Sequence, residues 1–214
     1  APLSVLLCAD RRAAQRLGPM IRRLAIGLLD QAVEVRLLAD GDHGEEMATG
    51  SLEVIRHHAS PWPFARIEQR RVLDALAERS PSVIHALSPT IGTLAQMIAD
   101  NLDAELVVQL CTEEDCRMAA SGRLSAAAWI AGSTRLKDLA QQQYGLSPDH
   151  VEMIRPGVPV SSTVACFADD DQEPTILCTA PFTHGAGVDR LLGAMDILRS
   201  NQITVLLFLV AEGP

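Results

Sequence analysis

Few residue types able to break or make covalent bonds stand in a suggestive place. Cys111 follows the apolar run Glu105–Leu110, where a thiol is either a nucleophile or a packing group. No base in a triad-like context stands beside it, and nucleophile activation needs one. His57 and His58 are adjacent, so on a strand they point to opposite faces, a poor grip for one metal ion. Five cysteines occur (Cys8, Cys111, Cys116, Cys166 and Cys178), with no CxxC pair. An odd count without paired spacing argues against a disulfide framework and fits a reducing, cytoplasmic setting. Cys8 and Cys178 sit in apolar runs and read as buried small hydrophobes. No motif asks for a cofactor or a metal. The densest charge feature is Arg11, Arg12, Arg16, Arg22 and Arg23. It is either a solvated helix face or a site for phosphate or anionic lipid head groups, which would give peripheral membrane contact.

The elements that position these groups come from a chain of 214 residues, long enough for one large domain or two small ones. Apolar residues are 48% and charged residues 21%, a globular composition. Aromatics are 3%, so aliphatic side chains must fill the core. The net charge is −9, which argues against nucleic acid as a partner, because that binding needs a basic face. No signal peptide is visible, and the longest candidate apolar run, Ile203 to Val210, has strand length rather than the ~20 residues of a membrane span. The chain begins Ala-Pro without Met, which suggests an edited or processed start.

Apolar runs alternate with helical patterns, which argues for parallel βαβ units. Strands are expected at Ser4–Cys8, Val33–Leu38, Leu52–Ile55, Pro81–Leu87, Glu105–Leu110, Ala126–Ala131 and Val151–Ile154. Helices are expected over Arg12–Leu29, Phe64–Arg79 and Thr90–Asn101, and from a Ser133 N-cap to about Tyr144, stopping at Gly145. Thr112–Ser125 is ambiguous, a loop with one short helix. Ser147-Pro-Asp is a start signal too short to grow.

Residues 159–174 are polar and acidic, with Asp169, Asp170, Asp171 and Glu173, and read as an interdomain linker. A fresh strand–helix–strand follows: Thr175–Thr179, Gly187–Ser200 and Thr204–Val210. A lone unit of ~40 residues has too little core to stand alone, so this second domain is expected to be incomplete. Its last strand then leaves an edge, and self-association through it is expected.

Ordered motifs carry a resemblance to glycosyltransferase family 4. Trp129-Ile-Ala-Gly-Ser, Lys137-Asp-Leu and the run from Tyr144-Gly-Leu-Ser-Pro to Arg155-Pro-Gly-Val158 resemble the family's strand, helix and "IPNGV" or "IPPGV" junction. Thr175-Ile-Leu with Gly187-Val-Asp-Arg-Leu-Leu-Gly-Ala194 resembles "ILYVGRL…KGVDLLLEA". Leu206-Leu-Phe-Leu-Val-Ala-Glu-Gly-Pro214 resembles "LVIVGEGP", and Ser82-Val-Ile-His-Ala-Leu-Ser-Pro89 resembles "DVVHAHSP". The resemblance implies an α/β fold of the GT-B type. Residues 1–158 would form a Rossmann-like, acceptor-type domain with helices on both faces of a parallel sheet. Residues 175–214 would begin the domain that binds the nucleotide sugar.

The implied activity is retaining transfer of a sugar, of hexosyltransferase type, from a nucleotide sugar to an acceptor. Charge building on the departing diphosphate needs fixed cations. The family's Arg in "GRL" and Lys in "KG" fall on Ala180-Pro181-Phe182 and Ala186, which carry no such charge. Loss of one preorganised donor costs ~3 kcal/mol or more in the barrier. The turn after the first strand, Ala9-Asp10-Arg11-Arg12, lacks the family's glycines, and Cys111 replaces a His. The expectation is therefore a fragment, degenerate at the donor site and inactive by itself. The alternative is a non-catalytic relative that binds a sugar, a glycan or a partner. No catalytic residue is assigned. His85 is the acceptor-side candidate, and it either touches an acceptor or is a hydrogen-bonded packing residue. Gly157, Gly187 and Glu212 are the donor-side candidates; each can equally be structural.

Overall fold

The computed structural model describes residues 3–41, 52–58, 64–157, 173–179 and 187–210. Two compact units emerge, Ala1–Val158 and Pro159–Pro214.

In the first unit the described strands are β1 (Ser4–Ala9), β2 (Glu34–Asp40), β3 (Glu53–His57), β4 (Val83–Ala86), β5 (Glu105–Leu110), β6 (Ala128–Ala131) and β7 (Val151–Met153). They form one seven-stranded sheet in the order β3-β2-β1-β4-β5-β6-β7, and every pair is parallel. This is a Rossmann-like α/β sheet. The helices are α1 (Arg11–Asp30), α2 (Phe64–Ala77), α3 (Gly92–Leu102), α4 (Glu113–Ala119) and α5 (Thr134–Asp138).

The β1 sequence SVLLCA is buried at all six positions. Side chains alternate between faces, so a strand covered on both sides reads as a continuous apolar run. Val5, Leu7 and Ala9 pack with Ala13, Ala14, Ile21 and Ala25 of α1. Leu6 and Cys8 join the other cluster, with Ile84, Ala86, Val108, Val72 and Leu76 of α2, and Ile98 of α3. The start of β1 is stitched to the residue before β4: Ser82 Oγ accepts the Ser4 N–H at 3.1 Å and donates to the Ser4 carbonyl at 3.0 Å.

Local chemistry moves several expected boundaries. The third strand lies at Glu53–His57 rather than Leu52–Ile55, so His57 ends it and His58 stands beyond. The ambiguous stretch after β5 contains α4. Its start is a reciprocal cap in which Thr112 Oγ1 accepts the Asp115 N–H at 3.2 Å and Asp115 Oδ2 accepts the Thr112 N–H at 2.8 Å. Ser133 caps α5 through the Leu136 N–H at 3.2 Å, as its position before the helical pattern implies. That helix widens into a π-helical turn, Leu139–Gln143, and stops at Gly145, whose φ of +69° is one that glycine adopts freely.

In the second unit β8 (Thr175–Cys178) and β9 (Leu206–Leu209) are parallel neighbours joined through α6 (Val188–Ser200). Every described residue of these elements is exposed or half-buried. Cys8 is buried as expected, but Cys178 is only half-buried, because the second unit supplies one thin layer of cover.

Candidate functional site

The sheet order reverses between β1 and β4, whose chain connections leave in opposite directions. Parallel sheets bind ligands outside the carboxyl ends of strands at such a point. Asp10 follows β1 and caps α1: its Oδ1 accepts the Ala13 N–H at 2.7 Å. Its Oδ2 accepts the hydroxyl proton of Ser88, just past β4. One carboxylate therefore ties the two strands that flank the reversal, and both its oxygens are engaged. At the end of β5, Asp115 Oδ2 takes the backbone N–H groups of Cys111 (2.9 Å) and Thr112 (2.8 Å).

Cys111 is half-buried beside this carboxylate. Burial raises its thiol pKa most, Asp115 adds to the rise, and the Arg16 guanidinium, hydrogen-bonded to the thiol, opposes it. A thiol held protonated is a weak nucleophile, so its environment favours packing and hydrogen bonding over covalent chemistry.

A cavity of about 540 Å³ lies on the α1 face of the sheet. Val5, Val83, Val107 and Ile130 form its floor, and Met20, Leu24 and Leu28 of α1 form one wall. Arg23 and Arg155 line it as well. His85 of β4 and Gln109 of β5 supply polar groups, and Gly157 lines the same cavity. Thus two of the sequence candidates, His85 and Gly157, come together. His85 lies inside β4 rather than at its end and is 9% exposed. Burial lowers its pKa to about 4, with a Gln109 hydrogen bond pulling weakly the other way, so the imidazole is neutral at pH 7. Its Nε2 has no hydrogen-bond partner among the described residues. Gly187 is the N-cap of α6 in the second unit, with φ +87°, a left-handed conformation that disfavours other residues. Glu212 and positions 180–182 and 186 lie outside the described residues.

The arginine cluster falls on α1, and all five members are exposed. At 100° per residue, Arg12, Arg16 and Arg23 share one side of the helix, the side that reaches Cys111 and the cavity. Other arginines are paired: Arg71 with Glu68, Arg79 with Glu34 and Glu53, Arg117 with Glu114. Among the described residues no carboxylate forms an ion pair with Arg12, Arg16 or Arg23. Among the same residues there is no group of ligands suited to a metal, and no helix long and apolar enough to cross a membrane.

Sequence reasoning missed Gln109 and the Asp10–Ser88 clamp. A polar residue inside the otherwise apolar run Leu106–Leu110 was the available signal for the first. An Asp placed directly after a strand and before a helix was the signal for the second.

Comparison with known proteins gives a consistent result. A family model described as "Glycosyl transferase 4-like domain" matches residues 17–157. No curated protein matches the chain. Among solved structures, a glycosyltransferase from Rickettsia africae superposes with TM-score 0.75 at 12% identity, covering 99% of this chain and 61% of that one. HepE of Anabaena in complex with UDP and glucose gives 0.67 at 16%, covering 96% and 60%. MurG of Acinetobacter baumannii gives 0.59 at 11%, covering 99% and 66%. At such identities the likeness is one of fold. The present chain spans about three fifths of the length of the first two structures.

Proposed function

The chain belongs to the glycosyl transferase 4-like family, and from that membership we propose that it serves transfer of a sugar from a nucleotide-sugar donor to an acceptor. Residues 1–158 are the acceptor-side domain, 159–174 the linker, and 175–214 the opening of the nucleotide-sugar domain. The observation that carries this reading is the family match over 17–157, which coincides with a parallel sheet whose carboxyl ends converge on a clamped reversal point. Bound UDP and glucose in the Anabaena neighbour support a nucleotide sugar as the donor class. His85 is the acceptor-side candidate, and Gly157, Gly187 and Glu212 are the donor-side ones. The odd cysteine count without a CxxC pair supports a reducing, cytoplasmic setting.

The test is turnover by the full-length protein across UDP- and GDP-sugars. Transfer above the uncatalysed rate supports the reading. A second reading, a non-catalytic binding relative, is favoured by Ala180-Pro181-Phe182 and Ala186, which stand where cations would meet the leaving diphosphate. It predicts no turnover with any donor. Under either reading the 214-residue chain is expected to show no thermal shift with millimolar UDP or GDP. A saturable shift would show that the donor site works without those cations.

Two surface contacts complete the proposal. The Arg11–Arg23 region of α1 is the candidate surface for an anionic membrane. The exposed Leu177, Leu206, Phe208 and Val210 of the β8–β9 layer favour self-association, which a strict monomer in dilute light scattering would contradict.

A further inference from the structure

The cavity on the α1 face differs in chemistry between its floor and its mouth. Part of the floor is built by alternate residues of two paired strands, Val83 and His85 of β4 and Val107 and Gln109 of β5. They share a face because side chains alternate along a strand. On the other face Ile84 and Val108 are fully buried, whereas Val83 and Val107 are half-buried, so the cavity side is the open one. His85 and Gln109 are nonetheless buried there, and His85 Nε2 has no hydrogen-bond partner among the described residues. A buried polar atom left unpaired costs free energy that a suitable ligand group removes.

Arg23 and Arg155 line the same cavity and are exposed, so they stand at its mouth. Among the described residues that line it, none is acidic. Gly27 of α1 lines it too, at a helical position where glycine is a poor choice. A Cβ at Gly27 would meet no atom within 4 Å, so the glycine keeps space open that another side chain would take. The volume, about 540 Å³, falls in the ~300–1,000 Å³ range of small-molecule sites.

These walls choose among ligands. A sugar carries a hydroxyl on most of its carbons, and Val5, Val83, Val107, Ile130 and Leu24 offer those groups no partner. An unbranched aliphatic chain suits such walls. A single hydroxyl both donates and accepts, so it meets Nε2 of the neutral imidazole in either tautomer. A carboxylate suits the guanidiniums at the mouth. We propose that the cavity binds an aliphatic hydroxy-acid, with its hydroxyl on His85, its chain along the valine and leucine walls, and its carboxylate at Arg23 and Arg155. This names the class of molecule that His85 meets. To that extent it rests on the sugar-transfer reading, in which His85 is the acceptor-side residue.

The test is calorimetric titration of the 214-residue chain and of the full-length protein with 10-hydroxydecanoate, decanoate and glucose. The hydroxy-acid is expected to bind saturably, about tenfold or more tightly than decanoate, because the plain acid leaves Nε2 unpaired. Glucose should give no saturable heat. His85→Met should abolish the margin between the two acids. Gly27→Leu should weaken both about tenfold or more by filling the open space. It also improves the helix, so a thermal midpoint no lower than that of the parent shows that the fold is intact, whatever His85→Met does to folding. Arg23→Gln with Arg155→Gln should weaken both acids several-fold and leave the margin between them. Equal binding of the two acids, binding of neither, saturable binding of glucose, or binding indifferent to Gly27→Leu each overturns the inference. Binding by the 214-residue chain but not by the full-length protein overturns it too, since another stretch of polypeptide then covers the cavity. Sugar transfer by a full-length protein that binds neither acid sinks the inference and leaves glycosyl transfer standing. His85-dependent binding of the hydroxy-acid in a full-length protein that transfers no sugar does the reverse.

Discussion

Strands β1 and β8 are both short apolar runs in parallel pairs, yet their surroundings differ. All six residues of β1 are buried between α1 on one face and α2 and α3 on the other. In β8, Ile176 and Cys178 are half-buried while Leu177 is 63% exposed, and α6 has no buried residue. The two sequences are similar in hydrophobicity, so composition does not set this difference. Cover does. An apolar strand gains its stabilisation only when both faces lose water.

The comparison breaks most sharply if truncations in the two units cost the same. Leu6→Ala, at a site of 0% exposure between packed helices, is expected to cost about 2–5 kcal/mol in urea unfolding of the chain. Leu177→Ala should stay within about 0.5 kcal/mol. Equal costs would mean that β8 is covered in solution.

A smaller effect comes from the buried imidazole of the first unit. The unfolded chain takes up the His85 proton below about 6.5, whereas the folded chain takes it up only near 4. Between those values the unfolded state binds more protons, so stability falls as pH drops from 6.5 to 4 and levels off below. The loss should approach ~3 kcal/mol at most. In His85→Met that part of the slope should vanish, as followed by urea midpoints across pH 4–7.

The smallest effect sharpens the contrast within one helix. Ala32, just past α1, has φ +57°, a conformation costly for a side-chain-bearing residue, and its N–H closes on the Leu29 carbonyl at 2.9 Å. Ala32→Gly should raise stability by up to about 1 kcal/mol, read as a higher thermal midpoint. Gly187 already has the favoured residue at its left-handed position, and Gly187→Ala should lower the stability of α6 by a similar amount.

Much of the fold was legible because parallel strands buried on both faces carry an unmistakable pattern. The runs at Ser4–Cys8 and Glu105–Leu110 need only hydrophobicity to be seen. Residues 112–125 were harder, since α4 is held by a cap between Thr112 and Asp115 rather than by a long apolar stripe. The site was less legible still. His85 could be singled out as a residue, but its partner Gln109 comes from another strand, and pairing across strands is set by register. The arginine cluster was visible as a charge run. That Arg23, on the side it shares with Arg12 and Arg16, lines the cavity that also holds His85 emerges only from the structure.

The position of β1 has a consequence for how the protein is made. It leaves the ribosome well before one of its two neighbours, which begins beside Ser82, 78 residues later. At about 5–20 residues per second the interval is roughly 4–16 s. Throughout it, one hydrogen-bonding edge of an apolar strand stays open while β2 and β3 are already available on the other side. Synthesis thus imposes a waiting period on the most buried strand of the sheet. Slow codons between residues 40 and 80 would lengthen it, raising the demand for chaperones that shield exposed apolar chain.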